Sequence, residues 1–351
     1  MCLLGKDKRM AVNIPVMPKP YPLPERDYPI SPRENLMLAF DHKKPMWMPS
    51  FYESAQHIKT KLYHEKCQVM DGDGYDWFGT FYKYIPAQGG TTPMPGLFDE
   101  IYEWEEKMVF PDFDDKEKFD WEADAANFTR DESKALFMRF SNGCWERLHA
   151  CEGFEQALID LISEPELTKE YFDRMVDYKI DMFNHFRNVY PLDFLMYADD
   201  YGTQNGPFFS TDLFEEVMLD GLKRLVAAVQ ARGTKFVFHC CGRIDPFIPY
   251  FIEELHVDGL EIQEFNDIKG ILEKYGDKVL VELNPDSNFV YDDERTPEEF
   301  VEYGRKIVDE YGAQCVPGSG VAFKPRGYNS EVWHALEGAV YDYSSELYRG
   351  L

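Results

Sequence analysis

From residue 135 onward, short apolar runs alternate with longer segments whose apolar positions recur every three to four residues. The runs are Ala135–Phe140, Phe194–Ala198, and residues 234–238, 257–262, 278–283 and 313–316. Continuous apolar stretches this short, bounded by turn residues, read as strands buried on both faces. Between them, residues 211–232 carry Leu213, Phe214, Val217, Leu222, Leu225 and Val226 close to one helical stripe, and Gly233 closes the segment. Residues 245–255, 267–275, Pro297–Tyr311 and 330–348 continue the helical alternation. Thr296-Pro297-Glu298-Glu299 is a helix start, with an N-cap, a proline in the first turn and acids behind it. Ser31-Pro32 opens an earlier helix in the same way, with Leu36, Leu38 and Phe40 among its apolar positions.

Two further strands complete the set: residues 46–52, around Lys44-Pro45-Met46-Trp47-Met48-Pro49, and residues 75–80. Strands alternating with helices build a parallel sheet. Eight of them predict an α/β fold, a (β/α)8 TIM barrel, which needs about 250 residues; the chain has 351. The surplus lies in two places. Residues 1–30 hold Pro15, Pro18, Pro20, Pro22, Pro24 and Pro29, which interrupt helix and strand alike. They read as a Pro-rich N-terminal arm lying over the body or over a neighbouring subunit of a homodimer, or as a tail without fixed structure. Residues 31–351 read as one barrel domain with an irregular, aromatic and acidic insertion around 53–134.

Composition narrows the function. No run approaches the ~20 apolar residues of a membrane span, and Met1-Cys2-Leu3-Leu4-Gly5-Lys6 lacks a secretory apolar stretch. The expectation is a cytoplasmic protein with no membrane role. A net charge of −27 disfavours nucleic acid as a partner, because phosphate binding needs clustered Lys and Arg. Seven cysteines, an odd number, point to reduced thiols rather than a disulfide framework.

Those thiols carry the candidate chemistry. His239-Cys240-Cys241-Gly242 follows Lys235-Phe236-Val237-Phe238, where a strand stops. Alternate residues of a strand point the same way, so His239 and Cys241 can share a metal while Cys240 faces elsewhere. Cys315, in Ala313-Gln314-Cys315-Val316-Pro317-Gly318, stands at the end of the last run. One His and two Cys leave a fourth position open on tetrahedral zinc, the pattern of a catalytic site. In a barrel the chemistry gathers at the C-terminal ends of the strands. Asp199, Asp200 and Gln204, then Glu261, Gln263 and Glu264, then Asn284 and Asp286 all stand at such ends. Glu264 reads as a displaceable fourth ligand or as a salt-bridged surface acid. Asp199 and Asp200 read as a substrate-orienting pair or as turn and helix-dipole acids. Gln204 reads as a substrate contact or a turn cap. Cys67, Cys144 and Cys151 read as small buried hydrophobes.

From about residue 31 to its end the chain resembles the uroporphyrinogen decarboxylase superfamily, and within it the zinc-dependent, corrinoid-linked methyltransferases. Ser31-Pro32-Arg33-Glu34-Asn35 with Lys44-Pro45 and Pro49 resembles the family opening, and the segment from Tyr197 through Asp199-Asp200-Tyr201-Gly202-Thr203-Gln204 to Pro207 its middle. Phe238-His239-Cys240-Cys241-Gly242-Arg243 with the distant Cys315 matches the methyltransferases' zinc pattern. The strand running from Val257 to Glu264 matches the one that supplies an acidic fourth ligand in some of them. The resemblance implies zinc on His239, Cys241 and Cys315, with Glu264 as the fourth ligand. It also implies methyl transfer involving the cobalt of a corrinoid. No Asp-x-His-x-x-Gly pattern occurs in the chain, so the corrinoid is expected on a separate partner protein. The small-molecule methyl donor or acceptor is a thiol, methanol or a methoxyaromatic. Tyr75, Trp77, Phe78, Phe81, Tyr82, Tyr84 and Phe98 read as a pocket for the last of these, or as core. The decarboxylase that names the superfamily carries an Arg-Gln-Ala-Gly-Arg signature whose arginines hold substrate carboxylates. Residues 49–57 here contain no Arg, which argues against decarboxylation. A non-catalytic tetrapyrrole- or corrinoid-binding protein, or a structural zinc closed by Glu264 or Cys240, are the remaining readings.

Overall fold

In the computed structural model, residues 26–67, 72–85, 90–290, 292, 294–312, 320–323 and 330–351 are described. Seven strands form one parallel sheet in the order β1 (Ala55–His57), β2 (Ala135–Phe140), β3 (Phe194–Ala198), β4 (Lys235–Cys240), β5 (Gly259–Ile262), β6 (Leu280–Leu283) and β7 (Gly320–Phe323). Strand alternation separates two cores. Ala135, Phe194, Met196, Val237 and Leu280 face inward and pack with Leu36, Ala39, Phe40 and Phe51; Phe137 stacks on Phe194 with ring centroids 4.7 Å apart. Leu136, Met138, Phe140, Leu195, Tyr197, Phe236, Phe238, Leu260 and Val281 face outward into the larger core under the helices. The Pro32–Phe40 helix closes the N-terminal end of the strands. The ring of Phe40 meets that of Phe194, Arg33 pairs with Asp193, and Lys235 reaches Asp41. The opposite end, where the strands stop, is left for chemistry.

The five strands from β2 to β6 fall where the apolar runs place them, within two residues, whereas β7 at Gly320–Phe323 lies beyond the run at 313–316. The first-half expectations need correction. Residues 46–52 are not a strand: Phe51–Ser54 is a helical turn and the barrel's first strand is β1. The backbone groups that a strand needs are already held by side chains. Asn35 accepts from Met46 N at 2.7 Å and donates to Trp47 O at 3.0 Å, and Ser344 Oγ accepts from Met48 N at 2.9 Å. Residues 75–80 also miss the barrel. Gly74–Tyr75 edges a small antiparallel sheet with Phe81–Ile85 and Gly90–Met94. The Asp76 carboxylate then accepts from Phe78 N and Thr80 N and forces a turn. Residues 313–316 lie outside the described residues.

The helical segment 211–232 divides at Met218 into Thr211–Val217 and Leu219–Gln230. Residues 245–255, punctuated by Pro246 and Pro249, form a 3-10 turn and a π turn rather than an α-helix. Both sequence-legible helix starts are capping boxes, Ser31 with Glu34 and Thr296 with Glu299. Replacing Thr296 by Ala removes the acceptor for Glu299 N. We expect a loss of about 1 kcal/mol in urea unfolding, and an unchanged midpoint would contradict the cap. Of the arm, residues 26–30 lie on the chain's own body: Arg26 and Tyr28 bind Glu53, and Tyr28 stacks on Trp47 at 5.1 Å. Residues 1–25 are outside the described set. The insertion is built on aromatic core. Phe78, Tyr82, Tyr84 and Phe98 are buried, and Trp77 meets Tyr63, Phe113 and Phe119 edge-on. Tyr75 alone of that set is strongly exposed. Among the described residues, no helix is long and apolar enough to cross a membrane.

Candidate metal centre

β4 carries His239 to the open end of the sheet, and Cys241 follows one residue beyond the strand. Gly242 then turns the chain at φ +95°, where a Cβ would stand 2.3 Å from the Gly202 carbonyl. Only glycine allows the 241–245 loop to approach the loop after β3 so closely. Side chains from the loop after β5 and a backbone bond to the loop after β3 hold the 241–245 loop in place. Gln263 Oε1 accepts from Gly242 N at 2.7 Å, Asn266 accepts from Ile244 N at 2.7 Å, and Arg243 N donates to Thr203 O at 2.7 Å.

The result brings Asp200, His239 and Cys241 together, with one donor atom of each within 4.8 Å of the others. Cys241 Sγ is 3.4 Å from His239 Nε2, which is 3.6 Å from Asp200 Oδ1. Asp200 is itself positioned by Cys241, whose N–H it accepts at 2.7 Å. His239 is buried, while Asp200 and Cys241 are partly exposed, so the group opens on one side. Imidazole nitrogen, sulfur and carboxylate oxygen form a mixed donor set that suits zinc. Burial and the neighbouring Asp200, Glu146 and Glu261 push the Cys241 thiol well up. A cation reverses that penalty, because a coordinating thiol is deprotonated outright. Cys240 faces the other way, fully buried, its sulfur 3.2 Å from Tyr201 N. Strand alternation thus separates the two cysteines as their order in the chain implies.

Asp199, Gln204, Glu264, Asn284 and Asp286 are placed outside this group. Asp199 is buried and accepts from Trp145 N at 3.2 Å, Glu146 N at 2.9 Å, and the Tyr197 and Tyr201 hydroxyls at 3.1 Å each. It satisfies the free N–H groups that begin the Cys144–Glu152 helix, and burial pushes its carboxyl up to about 6. A Cβ on Gly143 would stand 2.2 Å from the Asp199 carboxyl carbon, so the helix docks there without a side chain between. Gln204 is exposed in the turn between Gly202–Thr203 and Gly206–Pro207. Glu264 is half-buried in the turn after β5, outside the donor group. Cys315 lies outside the described residues. Asn284 donates to Ile262 O at 2.6 Å, and Asp286 caps a turn by accepting from Asn288 N.

Two further acids stand close by, Glu146 and the strand-end Glu261. Glu146, in the first turn of the Cys144–Glu152 helix, is pushed up to about 8 by burial and by Asp200 and Asp199. It stands six residues after β2, inside a helix, whereas Asp200 stands two residues after β3, so strand-end position alone does not single it out. Glu261 lies on β5 directly beside His239.

Comparison with known proteins agrees with this architecture. No curated protein matches the chain in sequence. Among solved structures, a methyltransferase from Methanosarcina mazei superposes with a TM-score of 0.63 at 12% identity, covering 89% of this chain and 98% of that one. An endo-beta-1,4-xylanase from Gloeophyllum trabeum reaches only 0.38 at 10% identity, over 59% of this chain and 75% of its own. The first likeness is one of fold, a TIM barrel. Residues 86–317 match the family described as Uroporphyrinogen decarboxylase (URO-D). With β2 to β6, the loop lock and the His239–Cys241 pair inside that span, the chain belongs to the uroporphyrinogen decarboxylase family.

Proposed function

We propose that this family member is a zinc-dependent methyltransferase, moving a methyl group between a small methyl donor or acceptor and the cobalt of a separate corrinoid protein. The observation that carries the reading is the convergence of Asp200, His239 and Cys241 at the open end of the strands. His239 and Cys241 would hold the metal, with Asp200 beside them and with Cys315 and Glu264 as the further ligands that the family resemblance implies. Zinc bound there supplies Lewis acidity, which makes a substrate thiol a thiolate at neutral pH or polarises the oxygen of a methyl ether or methanol. The chain's own residues do the rest. The backbone lock through Gln263 and Asn266 fixes where Cys241 sits. Asp200 closes one side of the donor group. Glu146, whose carboxyl burial and the charges of Asp200 and Asp199 push up, is a candidate to exchange a proton near the donor group. The decarboxylase alternative is not favoured, since residues 49–57 offer no arginine for a polycarboxylate.

The test is metal analysis of the purified protein, then zinc-edge absorption with candidate thiols and methoxyaromatics. We expect about one zinc per chain, with nitrogen and sulfur neighbours and a shell that changes when the true substrate class is added. A thiol that enters the shell selects transfer to sulfur; a methoxyaromatic that alters it selects demethylation. Zinc-free protein, or a shell indifferent to both, would overturn the proposal.

A further inference from the structure

The strands beneath the metal donors carry an unusual row of side chains. In the register of the sheet, His239 on β4 pairs with Glu261 on β5, which pairs with Glu282 on β6. Register partners point to the same face, here the inside of the barrel, and both glutamates are completely buried. Burying a carboxylate is costly unless charge or hydrogen bonds compensate. Glu261 Oε2 lies 3.2 Å from His239 Nδ1 and 3.6 Å from Arg139 Nη1. Oε2 and Nδ1 stand within hydrogen-bond distance, although the contact is not aligned as a hydrogen bond in this structure. The ring's other nitrogen, Nε2, already faces Cys241 and Asp200.

A neutral imidazole carries its proton on one nitrogen and offers a lone pair on the other. The common fate of the nitrogen away from a metal is to donate to a carboxylate, which fixes both tautomer and ring orientation. We propose that Glu261 is a positioning residue that holds the Nδ1–H tautomer of His239, keeping the Nε2 lone pair aimed at the donor group. Its effect on zinc rests on the metal reading above; its effect on the tautomer does not. A purely structural Glu261, there only to neutralise Arg139, would leave the imidazole proton free to move to Nε2.

The experiment uses the full chain labelled with 15N-histidine at mildly alkaline pH, with His239 assigned through His239→Gln. Long-range proton–nitrogen correlation reads the tautomer without zinc, and competition against a chromophoric chelator reads zinc affinity. Glu261→Met removes the acceptor; Glu261→Gln keeps the shape and a weaker acceptor, and serves if the first variant does not fold. We expect Nδ1–H in the native protein and a shift towards Nε2–H in both variants, larger in Glu261→Met. Zinc affinity should fall about 10–100-fold in Glu261→Met and less in Glu261→Gln. A native Nε2–H tautomer, or a tautomer unmoved by both substitutions, overturns the proposal. Native protein that binds no zinc yet shows the tautomer shift supports Glu261 and sinks the metal reading instead.

Discussion

Cys241→Ala and His239→Ala should each abolish stoichiometric zinc binding and, with it, methyl transfer, whereas Cys240→Ala should leave both in place. The two cysteines are adjacent, so a non-specific disturbance of this loop would affect both variants alike, and only a ligand role separates them. Cys241 is placed 3.4 Å from the imidazole by the turn at Gly242. Cys240 is fully buried on the far side, against Tyr201. Losing a direct ligand should cost more than the roughly 10–100-fold typical of an outer partner, and Cys315→Ala should match Cys241→Ala if the implied ligand set holds. Zinc affinity should rise with pH, because imidazole and thiols must both shed protons to bind. The metal-free Cys241 thiol sits well above its ordinary range, so that slope persists past neutrality. Elemental analysis of the four variants, with chelator competition across pH, decides the matter. Zinc retained by Cys241→Ala, or lost by Cys240→Ala, would reverse the assignment of the pair.

The sequence made the site's axis readable and hid its walls. β2 and β3 begin and end at the residues their apolar runs mark, because a strand buried on both faces has no polar phase to blur it. β1 escaped for the opposite reason. Ala55-Gln56-His57 is short and mixed, while the apolar residues 46–52 imitate a strand and are held instead by Asn35 and Ser344. His239 and Cys241 were legible because they sit on or next to a regular strand, where alternation fixes which way each points. Asp199 and Asp200 were not separable, because the chain leaves regular geometry there. Only the packing of the neighbouring elements shows that Asp199 serves the N-terminus of the Cys144–Glu152 helix while Asp200 accepts from Cys241 N. The aromatics of the insertion read as pocket or as core, and the burial of most of them takes the second course.

That insertion leads to the other large effect. It is fastened to the barrel by two ion pairs with no exposure on either partner, Arg147 with Asp76 and Lys179 with Glu65. Arg147 also donates to Glu65 O and lies over the Phe78 ring, 4.6 Å from its centroid. Lys179 donates to Asn142 O at 2.6 Å, and Tyr63 OH donates to Glu65 at 2.8 Å. Arg147→Met keeps most of the volume and leaves Asp76 charged in a dry interior. Breaking a buried pair from one side typically costs about 3–5 kcal/mol, and that is the loss expected in urea unfolding. Asp76→Asn in the same chain should recover much of it. The amide carbonyl still accepts from Phe78 N and Thr80 N, so the turn survives without the stranded charge. Arg147 shares its helix with Glu146, whose N–H is tied to Asp199. Loosening the insertion should therefore quicken amide exchange in Gly74–Tyr75 and Phe81–Ile85 and at the start of that helix. The amides of β4 and β5 should keep their protection, because their hydrogen bonds lie within the parallel sheet. A single substitution that costs under about 1 kcal/mol, or a double one no better than the single, would mean that the pair is not what binds insertion to barrel.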